Sequence, residues 1–435
     1  MVRSKTFASP PSDFTLAAVV LSKVHWVFAV FVACVAVANP SRALGQAPAS
    51  TGRFRITEKS ADSLRVSILT GAEAVFQGDG TLALTDSRLI TVTAEGKTNL
   101  VFTASECLYD QEEKTIRSRG ALSLSTGDGQ MQLKGVGFSG NLAGPTLSVS
   151  SKVEANLDRN LGRLPLDQGR QKTDISGFGA ESLRITSRQF ELEPGRAVFG
   201  GEVLVKDVDG TLGSDTVASN LGEDNWEVQT IRAAGNVALQ AGEIKTTSEQ
   251  ADYDLITGLI VFQGDPTWTM GERSGRADLL MVHRKSQSVS AEGDVRMKLT
   301  AGAGGEAGFF EFQTSGGVGA SGKPVEIQSN VFLFQSADAE RTGFARYIGA
   351  VRVAWEKSRL LCSFLNVHLA KGDGGVVKSV EASIGVSLVQ GTDQLMAQTA
   401  HYDLAQKTIQ LRGEPKWKLG VQSGRARSVN MTPND

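Results

Sequence analysis

The feature that most constrains this chain is internal repetition. Residues 246–268, TTSEQADYDLITGLIVFQGDPTW, and residues 395–417, LMAQTAHYDLAQKTIQLRGEPKW, share one frame. Tyr253-Asp254-Leu255 answers to Tyr402-Asp403-Leu404, Gly264 to Gly413, Pro266 to Pro415 and Trp268 to Trp417, all at an offset of 149 residues. Ser274-Gly275-Arg276-Ala277 returns as Ser423-Gly424-Arg425-Ala426. Upstream, Ala233, Val237, Leu239 and Gly242 return as Ala382, Val386, Leu388 and Gly391. A fixed period of this kind marks stacked copies of one supersecondary unit, none of which buries its apolar face alone.

A shorter unit sits inside each copy: A-x-Y-D, a turn, a β-rich run, then glycine. Tyr109 to Gly120, Tyr253 to Gly264 and Tyr402 to Gly413 are each eleven residues. Val282 to Gly293 and Phe190 to Gly201 keep that spacing. The chemistry is that of strand, tight turn, strand. Asp110, Asp254 and Asp403 are placed to accept hydrogen bonds from the backbone ahead of them. Gly258 supplies a positive φ at the reversal, and the β-branched, aromatic run Leu259-Ile260-Val261-Phe262 returns. Gly-x-Val (Gly201/Val203, Gly235/Val237, Gly293/Val295) is expected to start a further strand after a bend or bulge. In these runs apolar residues alternate with polar ones, as in Val295, Met297 and Leu299 against Asp294, Arg296 and Lys298. Period two gives each strand one wet and one dry face.

Composition agrees with many short strands. Glycine is abundant (48) while proline (11) and aromatics (6%) are scarce, and no long helical pattern follows residue 46. With 40% hydrophobic residues the chain has enough to bury a core. A formal net charge of −2 without clustered basic residues excludes nucleic acid as a partner. Of three cysteines, Cys34 lies in the N-terminal apolar segment. Cys107 and Cys362 lie in strand-like runs of different repeats, either as a disulfide or as two buried free thiols.

Residues 24–38, VHWVFAVFVACVAVA, follow Arg3, Lys5 and Lys23 and precede Asn39-Pro40 and Ala43-Leu44-Gly45. Basic, apolar, then small is the order of a secretory signal, with cleavage before Gln46. The rival is an uncleaved inner-membrane anchor reaching back to Leu16, since a spanning helix needs about 20 apolar residues. Both export the rest. The domain reading is therefore residues 1–45 as signal or anchor, 52–157 as a first β module, and 158–175 as a polar linker. Residues 176–300 are a second module, 301–324 a glycine-rich hinge or loop, and 325–435 a third module.

The A-x-Y-D-[apolar]-x-x-G-x-[apolar]-x-[apolar]-x-G-[DN] unit resembles the OstA-like repeats of periplasmic lipopolysaccharide-transport proteins, best at Ala251–Asp265 and Ala400–Glu414. The first module resembles the LptC branch through Phe54–Ile56, Val66–Gly71, Ala72–Phe76, Ala104–Asp110 and Gly135-Val136-Gly137-Phe138. The later two resemble the LptA branch. Unlike the separate anchored and soluble proteins of that family, both kinds stand here in one chain. The resemblance implies tandem antiparallel β-jellyroll modules, splayed like a taco. Their dry faces would hold acyl chains, and modules would stack edge to edge with other Lpt-type envelope proteins. It implies transport of lipopolysaccharide or a similar lipid toward the outer membrane, without catalysis or cofactor, in the periplasm. Residues 16–38 would be the means of any inner-membrane association.

Other motifs dissolve on inspection. Gly135-x-Gly137-x-x-Gly140 lacks the helix a dinucleotide needs, and Gly317-x-x-x-x-Gly322-Lys323 is followed by Pro324 rather than Ser or Thr. Asp207-x-Asp209-Gly210 lacks the later calcium ligands. His283, His368 and His401 stand apart, and no carboxylate pair suits acid–base work. No catalytic, cofactor-binding or metal residue is assigned. The candidate lipid groove, read from alternation, is Val203, Val205, Val237, Leu239, Phe262, Val295, Met297, Val351, Val353, Val386 and Leu388. The rival reading is a structural β-scaffold of the envelope that binds proteins through edge strands, its interior filled by its own side chains. The shortage of large aromatics favours the open groove. A carbohydrate-active enzyme would need the clustered carboxylates or metal ligands that are missing.

Overall fold

Strands that alternate apolar with polar residues need a neighbour for their backbone and a cover for their dry face. The computed structural model meets both needs with one antiparallel sheet folded lengthwise. It describes residues 50–59, 65–77, 79–94, 96–129, 131–144, 146–158, 182–206, 210–221, 228–241, 244–254, 256–270, 273–283, 286, 288–300, 324–336, 342–371 and 377–431.

The first nine strands are β1 (Ser50–Thr51), β2 (Phe54–Lys59), β3 (Arg65–Gly71), β4 (Glu73–Phe76), β5 (Thr81–Thr93), β6 (Thr98–Asp110), β7 (Thr115–Thr126), β8 (Met131–Asn141) and β9 (Thr146–Asp158). The middle run is β10 (Ser182–Ser187), β11 (Gln189–Glu193), β12 (Arg196–Lys206), β13 (Gly210–Leu221), β14 (Val228–Ala241), β15 (Ile244–Asp254), β16 (Leu259–Gln263), β17 (Thr267–Met270), β18 (Arg273–Arg276), β19 (Leu279–His283) and β20 (Ser288–Thr300). The last is β21 (Pro324–Gln335), β22 (Phe344–Trp355), β23 (Ser358–Leu369), β24 (Val377–Gln390), β25 (Asp393–Asp403), β26 (Thr408–Arg412), β27 (Lys416–Leu419), β28 (Gln422–Arg425) and β29 (Ser428–Met431).

Long strands pair with their successors, and their registers shift at mid-length, as between Ala234 and Val237 or Glu292 and Val295. Where a strand is broken in two, the halves pair separately. β9 pairs with β11 through Leu147–Val149 and with β10 through Val153–Asp158. The shifts line up, so the sheet bends along one ridge into two leaves. The front leaf holds β1, β4, β11, β16, β19, β26 and β29. The back leaf holds β2, β3, β10, β17, β18, β27 and β28. The other strands contribute half to each.

The bend has a repeated local cause. On alternate strands two consecutive residues adopt left-handed backbone, such as Gly235 (φ 76°) with Asn236 (φ 49°), and Gly293 (φ 77°) with Asp294 (φ 38°). Glycine is required there twice over. A Cβ on Gly235 would fall 2.3 Å from Oδ2 of Asp215 on the next strand, and one on Gly293 only 2.1 Å from Oδ2 of Asp278. On intervening strands a serine takes the bend. The hydroxyls of Ser214, Ser248 and Ser329 donate to the carbonyls of Thr216, Gln250 and Val331 at 3.0, 2.9 and 3.0 Å.

This corrects the reading of Gly-x-Val as the start of a new strand: Gly201, Gly235 and Gly293 lie inside β12, β14 and β20. Leu82–Leu84 and Leu89–Val92, which alternation alone reads as two strands, are likewise two halves of β5, bent at Asp86 (φ 47°). A left-handed corner breaks the alternation while leaving the ladder paired on both sides, so one strand reads as two. The aspartate turns form as expected. Asp110 Oδ1 accepts from the amides of Glu112 and Glu113, Asp254 Oδ1 from Thr257, and Asp403 Oδ1 from Ala405 and Gln406.

The N-terminal segment and nearly all of the expected linker and hinge lie outside the described residues. The flanking strands pair directly, Asp158 with Ser182 and Thr300 with Pro324, so the ladder is continuous across both places. Among the described residues no helix is long and apolar enough to cross a membrane. Cys107 and Cys362 are free and buried, which closes the disulfide alternative, and Cys107 Sγ lies 3.1 Å from Ser87 Oγ.

Candidate functional site

The space between the leaves is lined by one contiguous apolar cluster, running from Leu69 to Leu388. Cross-leaf contact is direct: the rings of Phe102, in the back leaf, and Phe138, in the front leaf, meet edge to face at 4.8 Å.

The sequence-derived groove residues occupy a regular place in this space. Val203 and Val205, Val237 and Leu239, Val295 and Met297, Val351 and Val353, and Val386 and Leu388 come from β12, β14, β20, β22 and β24. Each pair is the first two inward positions of the back leaf after a corner. Phe262 is the last inward position of the front leaf before one. Neighbouring members of the row are two strands apart, about 9.6 Å, except between β14 and β20, where β15, β17 and β18 intervene. All are buried except Met297, which is half-buried against the core.

Apart from Phe262, alternation missed the front-leaf residues that face this row: Phe199, Ala233, Ala291, Tyr347 and Ala382. The signal was present. Each is the inward residue two places before the corner, but the corner hides that it shares a face with the valine following. The whole first module was missed too, because its corners lack the Gly-x-Val spelling.

In the middle the leaves close on each other, with Ala291 and Val353 fully buried and Val237 and Val295 nearly so. Toward the two ends they leave cavities of about 50 Å³ each. The N-terminal cavity lies between Leu89, Phe102 and Leu124 of the back leaf and Ile116, Leu142 and Leu147 of the front. The C-terminal cavity lies between Leu360, Leu388 and Leu395 behind and Leu365, Ala400 and Leu411 in front, with His401 and Tyr402 the polar members of its wall.

The buried thiols and phenols here are pushed toward their neutral forms. Burial pushes the Cys107 thiol up to about 11 and the Cys362 thiol up to about 12. Burial, and then the Glu58 carboxylate, raise the Tyr109 phenol to about 12. Burial also raises Tyr347, whose ring lies 5.0 Å from that of Phe332. Among the described residues no group of three or more His, Cys, Asp or Glu is placed to hold a metal ion. What the interior presents is apolar surface, and burying hydrocarbon against it is worth about 0.8 kcal/mol per CH₂.

The fold and interior together define an all-β protein whose antiparallel sheet is folded into two leaves around an apolar interior. Residues 184–288, from β10 to the first residue of β20, match the family described as LptA/(LptD N-terminal domain) LPS transport protein. This bears out the OstA-like resemblance over the matched segment. Among solved structures, one similar chain is LptH, the LptA homologous periplasmic component of the lipopolysaccharide transport device from Pseudomonas aeruginosa. It is 15% identical, with a TM-score of 0.24, over 28% of this chain and 85% of that one. A sequence comparison with characterised proteins gives no match.

Proposed function

We propose that this chain is a periplasmic bridge component that carries the acyl chains of lipopolysaccharide, or a related amphiphile, between its leaves toward the outer membrane. The observation that carries the reading is the continuity of the folded ladder. One apolar cluster, with the residues packed on it, runs from Phe54 on β2 to Leu404 just after β25, so a chain inside it could advance without meeting water. The groove residues named above would line the path, and Lpt-type partners would extend it by pairing with the edge strands at either end. The protein would supply no catalysis, leaving the driving energy to a partner. Residues 16–38 would serve as signal or inner-membrane anchor.

The filled middle favours a second reading, a structural scaffold that binds envelope proteins through its edges. Lipid passage requires the leaves to part along the filled middle, where Val237, Ala291 and Val353 are buried. Native mass spectrometry of residues 46–435 from cells that make lipopolysaccharide separates the two. A bound lipid A-bearing mass that Ala400→Trp diminishes, by filling the C-terminal cavity, supports transport. A protein that stays empty when lipid is added supports the scaffold.

A further inference from the structure

Three polar contacts tie the leaves of the first module together at their free margin, away from the ridge. Ser67, on β3 of the back leaf, donates its hydroxyl to the carbonyl of Leu142 in the front-leaf turn after β8, at 3.1 Å, and this bond is buried. Glu58 lies one strand farther out, on β2. Its carboxylate accepts the Tyr109 hydroxyl from β6 of the front leaf at 3.2 Å, and pairs with Lys114 Nζ, in the turn between β6 and β7, at 2.8 Å. Ser67 and Leu142 are themselves wall residues of the N-terminal cavity.

The position of Glu58 is informative. The half-buried residues of β2 are Phe54, Ile56 and Glu58, so the carboxylate stands third in a row of inward places. An apolar residue there would pack without needing a partner. A carboxylate pays desolvation unless it is hydrogen-bonded, and its bonds can be exchanged for water. Such a contact can be exchanged for water at lower cost than the packing of a leucine in the same place. The β2–β3 pair joins the rest of the back leaf through the β3–β5 ladder, Arg65–Thr70 against Arg88–Thr93, and otherwise rests on the core through Leu69, Phe54 and Ile56, apolar contacts that have no directional bond to break.

We propose that the β2–β3 hairpin is a side latch on the N-terminal cavity, with Glu58 and Ser67 as its catches, and that its release admits an apolar chain from the side. This deepens the transport reading and rests on it. The chemistry recognised is a single hydrocarbon chain entering between Ile116, Leu124 and Leu147.

The test is stopped-flow uptake of the apolar fluorophore N-phenyl-1-naphthylamine by the full chain. Glu58→Ala is expected to speed uptake about tenfold, the effect of losing a charged hydrogen bond, without changing the plateau. Ser67→Ala should act in the same direction. Glu58→Gln, which keeps an acceptor for Tyr109, should fall between and decides the matter if the alanine variant loses its near-ultraviolet dichroism. Leu147→Trp, which fills the cavity, should lower the plateau. Equal rates in the wild type and the Glu58 variants would overturn the latch. So would a plateau indifferent to Leu147→Trp, or no uptake by any of the proteins. None of these outcomes depends on whether lipid A co-purifies, so the latch and the transport reading fail separately.

Discussion

The indole of Trp268 on β17 fills the space beside Gly275, its partner on β18, so closely that a Cβ on that glycine would lie 2.3 Å from Cζ2 of the ring. Trp417 and Gly424 repeat the arrangement on β27 and β28, at 2.2 Å. The matched tryptophans and Ser-Gly-Arg-Ala motifs of the two repeats are thus one device: an aromatic ring laid across a strand where a cross-strand glycine makes room. Gly275→Ala and Gly424→Ala should each destabilise the protein by about 1–3 kcal/mol through overpacking. Gly144→Ala, with open space around it, should change stability by less than about 0.5 kcal/mol. Urea denaturation of the three variants checks this, and equal midpoints would remove the packing role of the glycines.

Ile384 is the exception among the corner residues. It is a β-branched side chain in left-handed backbone, φ 63°, and it is 55% exposed. The equivalent place in the earlier repeat is Gly235. Left-handed backbone costs an L-residue about 1–2 kcal/mol, and isoleucine recovers little of that by burial here. Asparagine tolerates the conformation, so Ile384→Asn should stabilise by about 0.5–1 kcal/mol. The same substitution at buried, extended Val386 should be strongly destabilising. A lower urea midpoint for Ile384→Asn would mean the side chain makes contacts worth more than its strain.

These corners also explain what the sequence could and could not reveal. The repeat, the strand alternation and the aspartate turns are local, and Tyr253-Asp254 with Gly258 carries them in six residues. The corner is local too, but it looks like a strand end, because left-handed residues interrupt the alternation on which strand reading depends. Val237 was therefore legible as an inward residue, whereas its relation to Ala233 across Gly235 was not. The Glu58–Tyr109 contact joins residues far apart in the chain and on opposite leaves, and no spacing rule announces it. The OstA-like unit was legible because Ala251–Asp265 keeps its full spelling, and it falls inside the matched segment 184–288.

The buried thiols set an alkaline limit on stability. Cys107 and Cys362 rise from an ordinary 9.0 to about 11 and about 12, chiefly through burial, so the folded state favours the neutral thiol. A folded-state pKa above the unfolded value contributes stability that is complete below pH 9.0 and is lost as pH rises through the folded values. Urea midpoints should therefore hold from about pH 7 to 9 and fall above it, and less so for Cys107→Ala/Cys362→Ala. Maleimide labelling, located by peptide mass mapping, should be slow at both positions in the native protein and fast in urea. Rapid native labelling of Cys107 would contradict its burial beside Ser87.

The strands flanking the expected hinge form one ladder, β20 against β21, with Val289–Glu292 facing Val331–Phe334 in the front leaf and Val295–Leu299 facing Val325–Ser329 in the back. Its inward residues include Ala291, Val295, Ile327 and Phe332, all buried. Separating the repeats at this place would expose these side chains and free a full row of backbone donors and acceptors, each costing about 1–3 kcal/mol if left buried and unmet. The connecting residues 301–323 are thus not what holds the second and third repeats together. A site for a sequence-specific protease inserted there and cut should leave two fragments that co-elute under native conditions, unfold in a single urea transition and part only in denaturant. Two independent transitions, or fragments that separate on native gel filtration, would mean that the repeats are autonomous and that the ladder across β20 and β21 is weaker than its pairing implies.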